Sequence, residues 1–288
     1  MSESIDREAL LAWGRTERRD LPWRRTRDPW AVLVSELMLQ QTQVARVVPR
    51  YEAFIARYPD PASCAAASQA DIVRQWEGLG YNRRARHLHQ SARIVVDRHG
   101  GRMPDLLAAL LALPGVGPYT ARAVLVFAHE RDMGPVDTNV ARLLARWRGR
   151  PLSGPEAQRQ ADELVPVGRA WDWTQALFDL GSSVCTRRAP RCGDCPVRDG
   201  CAWAGHGPDP AHGSAGVARA QSRFEGSDRQ GRGRLIAALR QGPVSLDRLP
   251  EVSGWPDQPA RVDRVMAALE ADGLVVADGD TVSLADAG

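Results

Sequence analysis

The chain has no lysine: all 38 of its basic side chains, in 288 residues, are arginine. With no side-chain amine, a Schiff base with a sugar or carbonyl substrate can form only at the N-terminal amine, so a whole class of covalent mechanisms is closed. Long apolar runs are missing as well. None approaches the ~20 residues a membrane-spanning helix needs, which argues against a helical membrane protein. Aromatic residues make up only 6% of the chain, and five cysteines are too few and too odd in number for a disulfide scaffold. The opening Met1–Glu8 is mixed in charge and does not read as a secretory signal. The expected setting is the cytoplasm, where thiols stay reduced.

What is present is ordinary for a globular protein, with 43% hydrophobic and 25% charged residues. The net charge of +3 conceals an asymmetry. Residues 1–204 carry 29 basic and 23 acidic side chains, whereas residues 205–288 carry 9 and 12. A cationic first part is the surface expected to face a polyanion.

Apolar periodicity and Pro, Gly and Asp punctuation predict helices near 4–18, 29–40, 43–57, 69–75, 83–98, 104–113, 118–129, 137–148, 155–164 and 171–184. Residues 1–204 therefore read as an all-α domain. The small-residue stretch 205–228 reads as a flexible linker. In 229–288, helices are expected at 234–240, 244–249 (Ser245 as N-cap) and 261–271. A hairpin turning at Asp278-Gly279 follows, giving a small winged-helix-like module.

Four cysteines, Cys185, Cys192, Cys195 and Cys201, follow a C-x6-C-x2-C-x5-C spacing in a loop with no apolar face of its own. Thiol chemistry alone suits an iron–sulfur cluster or a structural zinc. Upstream, Leu113-Pro-Gly-Val-Gly-Pro-Tyr-Thr-Ala121 ends one helix and starts another. Gly115, Val116 and Gly117 form a tight turn, and Pro118 takes the favoured first helical position. Backbone N–H groups and the positive end of a helix then face outward, as a phosphate would require. Asp137, in Pro135-Val-Asp-Thr-Asn139, is by position a helix N-cap. Glu36 follows Val32 and Leu33 by four and three positions, so a helix places it on their apolar face beside Leu37 and Met38. A carboxyl in such surroundings favours its protonated form, as a general acid needs.

The turn L-P-G-V-G-x-x-T-A resembles the helix-hairpin-helix DNA-binding element. With Asp137 and the cysteine spacing after it, the chain resembles the endonuclease III superfamily. Leu21-Pro-Trp-Arg24, Ser35-Glu-Leu-Met-Leu-Gln-Gln-Thr42 and Gly78-Leu-Gly-Tyr81 are similar to the MutY family of adenine DNA glycosylases over roughly residues 8–204. The resemblance implies a mostly α, helix-hairpin-helix glycosylase fold and a [4Fe–4S] cluster on the four cysteines. It implies Glu36 as the acid that protonates an adenine ring nitrogen and Asp137 as the carboxylate that stabilises the sugar cation or traps it as an ester. Arg24, Tyr119 and Asn139 would shape the pocket, with Asp179 a weaker member. Gln41 and Tyr81 would enter the base stack, and Thr42 and Leu79 would line the same opening. Bifunctional relatives carry a lysine where this chain has Tyr119, so monofunctional hydrolysis is implied.

The implied partner is double-stranded DNA with A:8-oxoguanine or A:G mispairs, bound by a monomer, and the acidic balance of the C-terminal module leaves a protein partner as its alternative to DNA. Residues after 204 do not resemble the domain that reads 8-oxoguanine in typical members. Discrimination is therefore expected from Gln41, Leu79 and Tyr81, and truncation after Gly205 is expected to spare most activity. Two other readings fit parts of the pattern: a mismatch thymine or uracil glycosylase, and a non-catalytic DNA-binding regulator with the cluster as redox sensor.

Overall fold

The computed structural model describes residues 5–217 and 223–286. Helices dominate: α1 Arg7–Glu17, α2 Pro29–Leu39, α3 Val44–Arg57, α4 Pro61–Ala66, α5 Gln69–Gln75, α6 Arg83–His99, α7 Leu107–Leu111, α8 Pro118–His129, α9 Thr138–Arg148, α10 Gly154–Leu164 and α11 Ala170–Asp179. A π-helical turn, Leu180–Val184, continues α11 toward Cys185. Then come α12 Asp228–Leu239, β1 Val244–Ser245, α13 Leu249–Ser253, α14 Pro259–Ala271, β2 Val275–Asp278 and β3 Thr281–Leu284. Local chemistry fixes the starts. Asp6 caps α1 through the Ala9 N–H, and reciprocal capping boxes open α4 (Asp60, Ser63) and α10 (Ser153, Glu156). Helix α4 was not expected, because Tyr58-Pro-Asp-Pro61 reads as a turn. There Asp60 is the cap and Pro61 the first helical residue.

Contacts divide the chain into two compact units: Met1–Leu33 with Asp105–Leu111 and Val116–Ala220, and Val34–Pro104 with Ala112–Gly115 and Gln221–Gly288. In the first, α1 packs on α11, and Leu10, Leu11, Trp30, Val124, Leu143 and Trp173 are all but fully buried. Each such side chain contributes about 1.5–3 kcal/mol by leaving water. Part of the expected linker belongs here. Ala215 donates to the Leu152 carbonyl at 2.9 Å, and Leu152 donates to Ser214 Oγ at 3.1 Å. Asp209 pairs with buried Arg146, so residues 209–216 are docked instead of loose.

In the second unit, α6 packs on α4 and α5, and Phe54 meets Trp76 edge-on. The C-terminal module contains three helices and a hairpin whose Asp278 pairs with Thr281. Its second helix lies later than the expected 244–249: Val244–Ser245 pairs with β3 as an edge strand, Ser245 makes no side-chain cap bond, and the helix is Leu249–Ser253. Sheet order is β1-β3-β2. The module is tied into this unit. Buried Gln69 donates through Nε2 to the Gly273 and Ala285 carbonyls at 2.7 and 3.2 Å. No helix among the described residues is long and apolar enough to cross a membrane.

Candidate functional site

In the first unit, Asp137 is the N-cap of α9 and something more. Its Oδ1 accepts from the Asn139 and Val140 N–H groups at 2.8 and 2.7 Å, and its Oδ2 accepts from Asn139 Nδ2 at 3.0 Å. Both oxygens are held. The carboxyl keeps some open surface yet is packed by protein on nearly every side. Burial pushes its pKa above the ordinary carboxylate value, while those donors and Arg142 pull the other way. Asn139 Oδ1 in turn accepts from an Arg142 Nη at 2.8 Å, and that same nitrogen donates to the Gly181 carbonyl at 2.6 Å. A Cβ at Gly181 would lie 2.7 Å from Asn139 Cβ, so only glycine permits this approach. Arg142 Nε reaches the Cys185 carbonyl at 2.9 Å. Arg142 was not foreseen; its signal is its place one helical turn after Asn139.

Arg24 and Asp179, both expected at the pocket, meet as a buried bidentate pair, 2.8 and 3.0 Å, with side-chain exposures of 5% and 2%. Arg19 Nε adds a third bond to Asp179 at 2.6 Å. Tyr119 is half-buried at the start of α8, its ring 6.3 Å from that of Phe178. The turn before α8 is as expected: Gly117 is the cap, Pro118 follows, and nothing lies within 4 Å above Gly117. Val116 is buried. Gly115 has φ +75°, and a Cβ there would sit 2.7 Å from His87 Nδ1.

In the second unit, Glu36 is 4% exposed on α2, next to fully buried Leu37 and Met38. The turns that follow α2 and precede α6 carry Gln41 and Tyr81, two exposed residues that are non-glycine yet left-handed, at φ +56° and +47°. Thr42 Oγ1 donates to the Leu79 carbonyl at 3.2 Å. Leu79 is 4% exposed, with its side chain buried at this turn. One unforeseen residue ties both turns to α2. Arg84 donates from one Nη to the carbonyls of Leu37, Met38 and Gln40 at 2.7, 2.9 and 2.6 Å. The other Nη reaches Thr42 Oγ1 and the Leu79 and Gly80 carbonyls at 3.0, 3.0 and 2.9 Å. It thereby satisfies the orphan carbonyls at the end of α2 with a positive charge. Burial pulls its pKa down to about 10. Its helical phase with Leu88, Ala92 and Val95, all buried, is the signal that it points inward.

The four cysteines of the first unit are half-buried and unbridged, and Cys64 is buried elsewhere. Burial pushes Cys195 up to about 11, with the charges of Cys185, Cys201 and Cys192 adding to the rise and the Val197 N–H opposing it. Thiols gathered this closely are stabilised as thiolates by a cationic metal. Their surroundings suit a cluster: Arg146 donates to Cys185 Sγ at 3.1 Å, and the Ala204 N–H donates to Cys201 Sγ at 3.3 Å. Arg146, 1% exposed, also holds the Thr186 carbonyl at 2.8 Å and Asp209 at 2.6 Å, and stacks on Trp203.

Comparison with known proteins agrees with this geometry. Residues 34–166 match the HhH-GPD superfamily of base excision DNA repair proteins, and residues 185–201 match the iron-sulfur binding domain of endonuclease III. The loop therefore binds a [4Fe–4S] cluster. A solved thermostable thymine-DNA glycosylase is 32% identical, with a TM-score of 0.64 over 69% of this chain and 94% of its own. The adenine DNA glycosylase of Mycobacterium tuberculosis is 44% identical over 92% of this chain and 88% of its own. That of Mycolicibacterium smegmatis is 42% identical over 96% and 95%, a span that includes most of the residues after 204, so this tail is shared. On that evidence the chain belongs to the MutY-type adenine DNA glycosylase family.

Proposed function

We propose that this protein is a monofunctional adenine DNA glycosylase that flips adenine out of A:8-oxoguanine and A:G mispairs and hydrolyses its glycosidic bond. The observation that carries the reading is Glu36, a carboxyl 4% exposed among apolar neighbours in the family's S-E-x-M-L-Q-Q-T string. An acid so placed is suited to deliver a proton to a leaving adenine. The base departs with that proton as the C1′–N bond breaks, and water adds to C1′ while Glu36 takes up its proton. Asp137, its oxygens fixed by three donors, is placed to balance the sugar cation. Flipping costs a few kcal/mol of stacking, which residues entering the stack offset. Gln41 and Tyr81, exposed on braced turns, fit that task, with Thr42 and Leu79 holding the turns. Gly115, Val116 and Gly117 would take a backbone phosphate. The Arg24–Asp179 pair, Tyr119 and Asn139 would form the pocket walls. Cys185, Cys192, Cys195 and Cys201 would ligate the cluster, which orders their loop.

A second reading has its own support in the 32% identity to a thymine-DNA glycosylase structure. Single-turnover excision on A:8-oxoguanine, A:G, T:G and U:G duplexes decides between them. Adenine release from the first two, fastest from the first, is expected; release of thymine or uracil in their place would overturn the proposal. Borohydride should trap no covalent complex, because the chain offers no side-chain amine.

A further inference from the structure

The C-terminal module has no role in the reaction described so far, yet it touches the residue expected to enter the DNA. Arg229, at the start of α12, donates from an Nη to the Tyr81 phenol oxygen at 3.2 Å. Its guanidinium lies 5.8 Å from the ring centroid of Phe224, an aromatic 57% exposed just before the helix. At the other end of α12, Arg240 donates to the Asn82 side-chain oxygen at 3.0 Å and to the Val73 carbonyl at 3.1 Å. Arg229 and Arg240 are three helical turns apart and share one face of α12. Two adjacent residues of one turn, Tyr81 and Asn82, are thus held by the two ends of one helix.

The module itself is anchored firmly enough to act as a support. Asp272, at the end of α14, pairs with Arg232 of α12 at 2.6 Å and with Arg83 of α6 at 3.5 Å. Gln69 grips two of the module's carbonyls from α5. Tyr81 needs such support. It is 41% exposed and held at a positive φ that a bulky residue adopts only when its surroundings impose it. From within, Arg84 steadies it, with its guanidinium 5.5 Å from the Tyr81 ring centroid. From the tail, Arg229 fixes the free end of the phenol.

We propose that the C-terminal module is a brace for the residue that enters the base stack, with Arg229 as a positioning residue that acts through Tyr81. The proposal rests on the glycosylase reading, in which Tyr81 meets the base opposite the adenine. A phenol held at both ends presents one shape to that base; a loose one accommodates guanine and 8-oxoguanine more equally. The module therefore tunes discrimination without touching DNA bases itself. It also changes the expectation for the tail: removing it would strand Gln69 and release Tyr81.

The test uses the full chain with Arg229→Met, Arg229→Lys, Tyr81→Phe and the Arg229→Met/Tyr81→Phe pair. Two quantities are read: the ratio of single-turnover rates on A:8-oxoguanine and A:G, and the fluorescence of 2-aminopurine placed beside the mispair, which reports unstacking. Loss of one such hydrogen bond should lower the rate ratio about fivefold in Arg229→Met and in Tyr81→Phe. The pair should lose no more than either alone, because both remove the same bond. Arg229→Lys, which can still donate to the phenol, should keep most of the ratio. An unchanged ratio in Arg229→Met, or fully additive losses in the pair, overturns the brace. If the unaltered protein releases adenine from neither duplex, the glycosylase reading fails. The 2-aminopurine signal on bound mispair then judges the brace alone, and equal signals in the unaltered and Arg229→Met proteins overturn it.

Discussion

Replacing Arg84 by Met keeps most of the side-chain volume and removes every donor. Six oxygens within 3.0 Å lose their charged donor: the carbonyls of Leu37, Met38, Gln40, Leu79 and Gly80, and Thr42 Oγ1. A hydrogen bond to a charged group contributes about 1.5–3 kcal/mol, and the two Nη atoms share four N–H donors among the six oxygens, so the gross loss is about 6–12 kcal/mol. Part returns, because a buried guanidinium no longer has to be kept from water, a cost of several kcal/mol. A net destabilisation of about 3–5 kcal/mol follows, and a protein of this size should melt about 10 °C lower. Thermal melts followed by circular dichroism measure it. Arg84→Lys, with three donors for six acceptors, should fall between. At temperatures where the variant is folded, mispair binding should also weaken, because the turns carrying Gln41 and Tyr81 lose their common tie. A drop of less than about 2 °C for Arg84→Met would show that water replaces the guanidinium freely, and the clamp would not be a determinant of these turns.

Glu36→Gln preserves shape but cannot donate the proton, so single-turnover excision should fall at least ~100-fold while mispair binding persists; near-normal turnover contradicts its role. Asp137→Asn should be similarly inactive, yet it should gain stability relative to the unaltered protein as pH rises. Because burial raises the Asp137 pKa, its contribution is fullest below about pH 4 and is lost as pH climbs through the folded value, whereas Asn does not titrate. The melting-temperature difference, variant minus unaltered, should therefore grow from pH 4 to pH 7; a shrinking difference refutes the sign. Anaerobically purified protein should carry about four irons per chain, and Cys192→Ser should lose iron and DNA affinity together. Stoichiometric zinc without iron would contradict the cluster.

Much of the helical framework was legible because its apolar periodicity is strong and its breaks are Pro, Gly and Asp. What escaped notice was what depends on distant partners. The stretch 209–216 has a linker's composition, and distant partners order it: Asp209 meets an arginine 63 residues earlier, and Ser214 and Ala215 bond to Leu152. Arg84 sits in an Arg-rich run, and nothing local says that one of those cations turns inward to five carbonyls. For the site, Asp137, Asn139, Arg24 and Asp179 were named from the sequence, but that they form two hydrogen-bonded pairs was not.

The left-handed backbone at Gln41 and Tyr81 has a consequence for how mutations here would be noticed. A non-glycine residue in that conformation costs about 1–2 kcal/mol. Glycine would remove that cost while adding roughly 0.5–1 kcal/mol of chain entropy to folding. The two nearly cancel, so as far as backbone strain goes Gln41→Gly or Tyr81→Gly would leave the fold about as stable as before while deleting the side chain proposed to meet DNA. A survey of variants scored by abundance or melting temperature would pass both as benign. Only a repair readout, such as the rate of G-to-T changes accumulating in growing cells, would register them as losses.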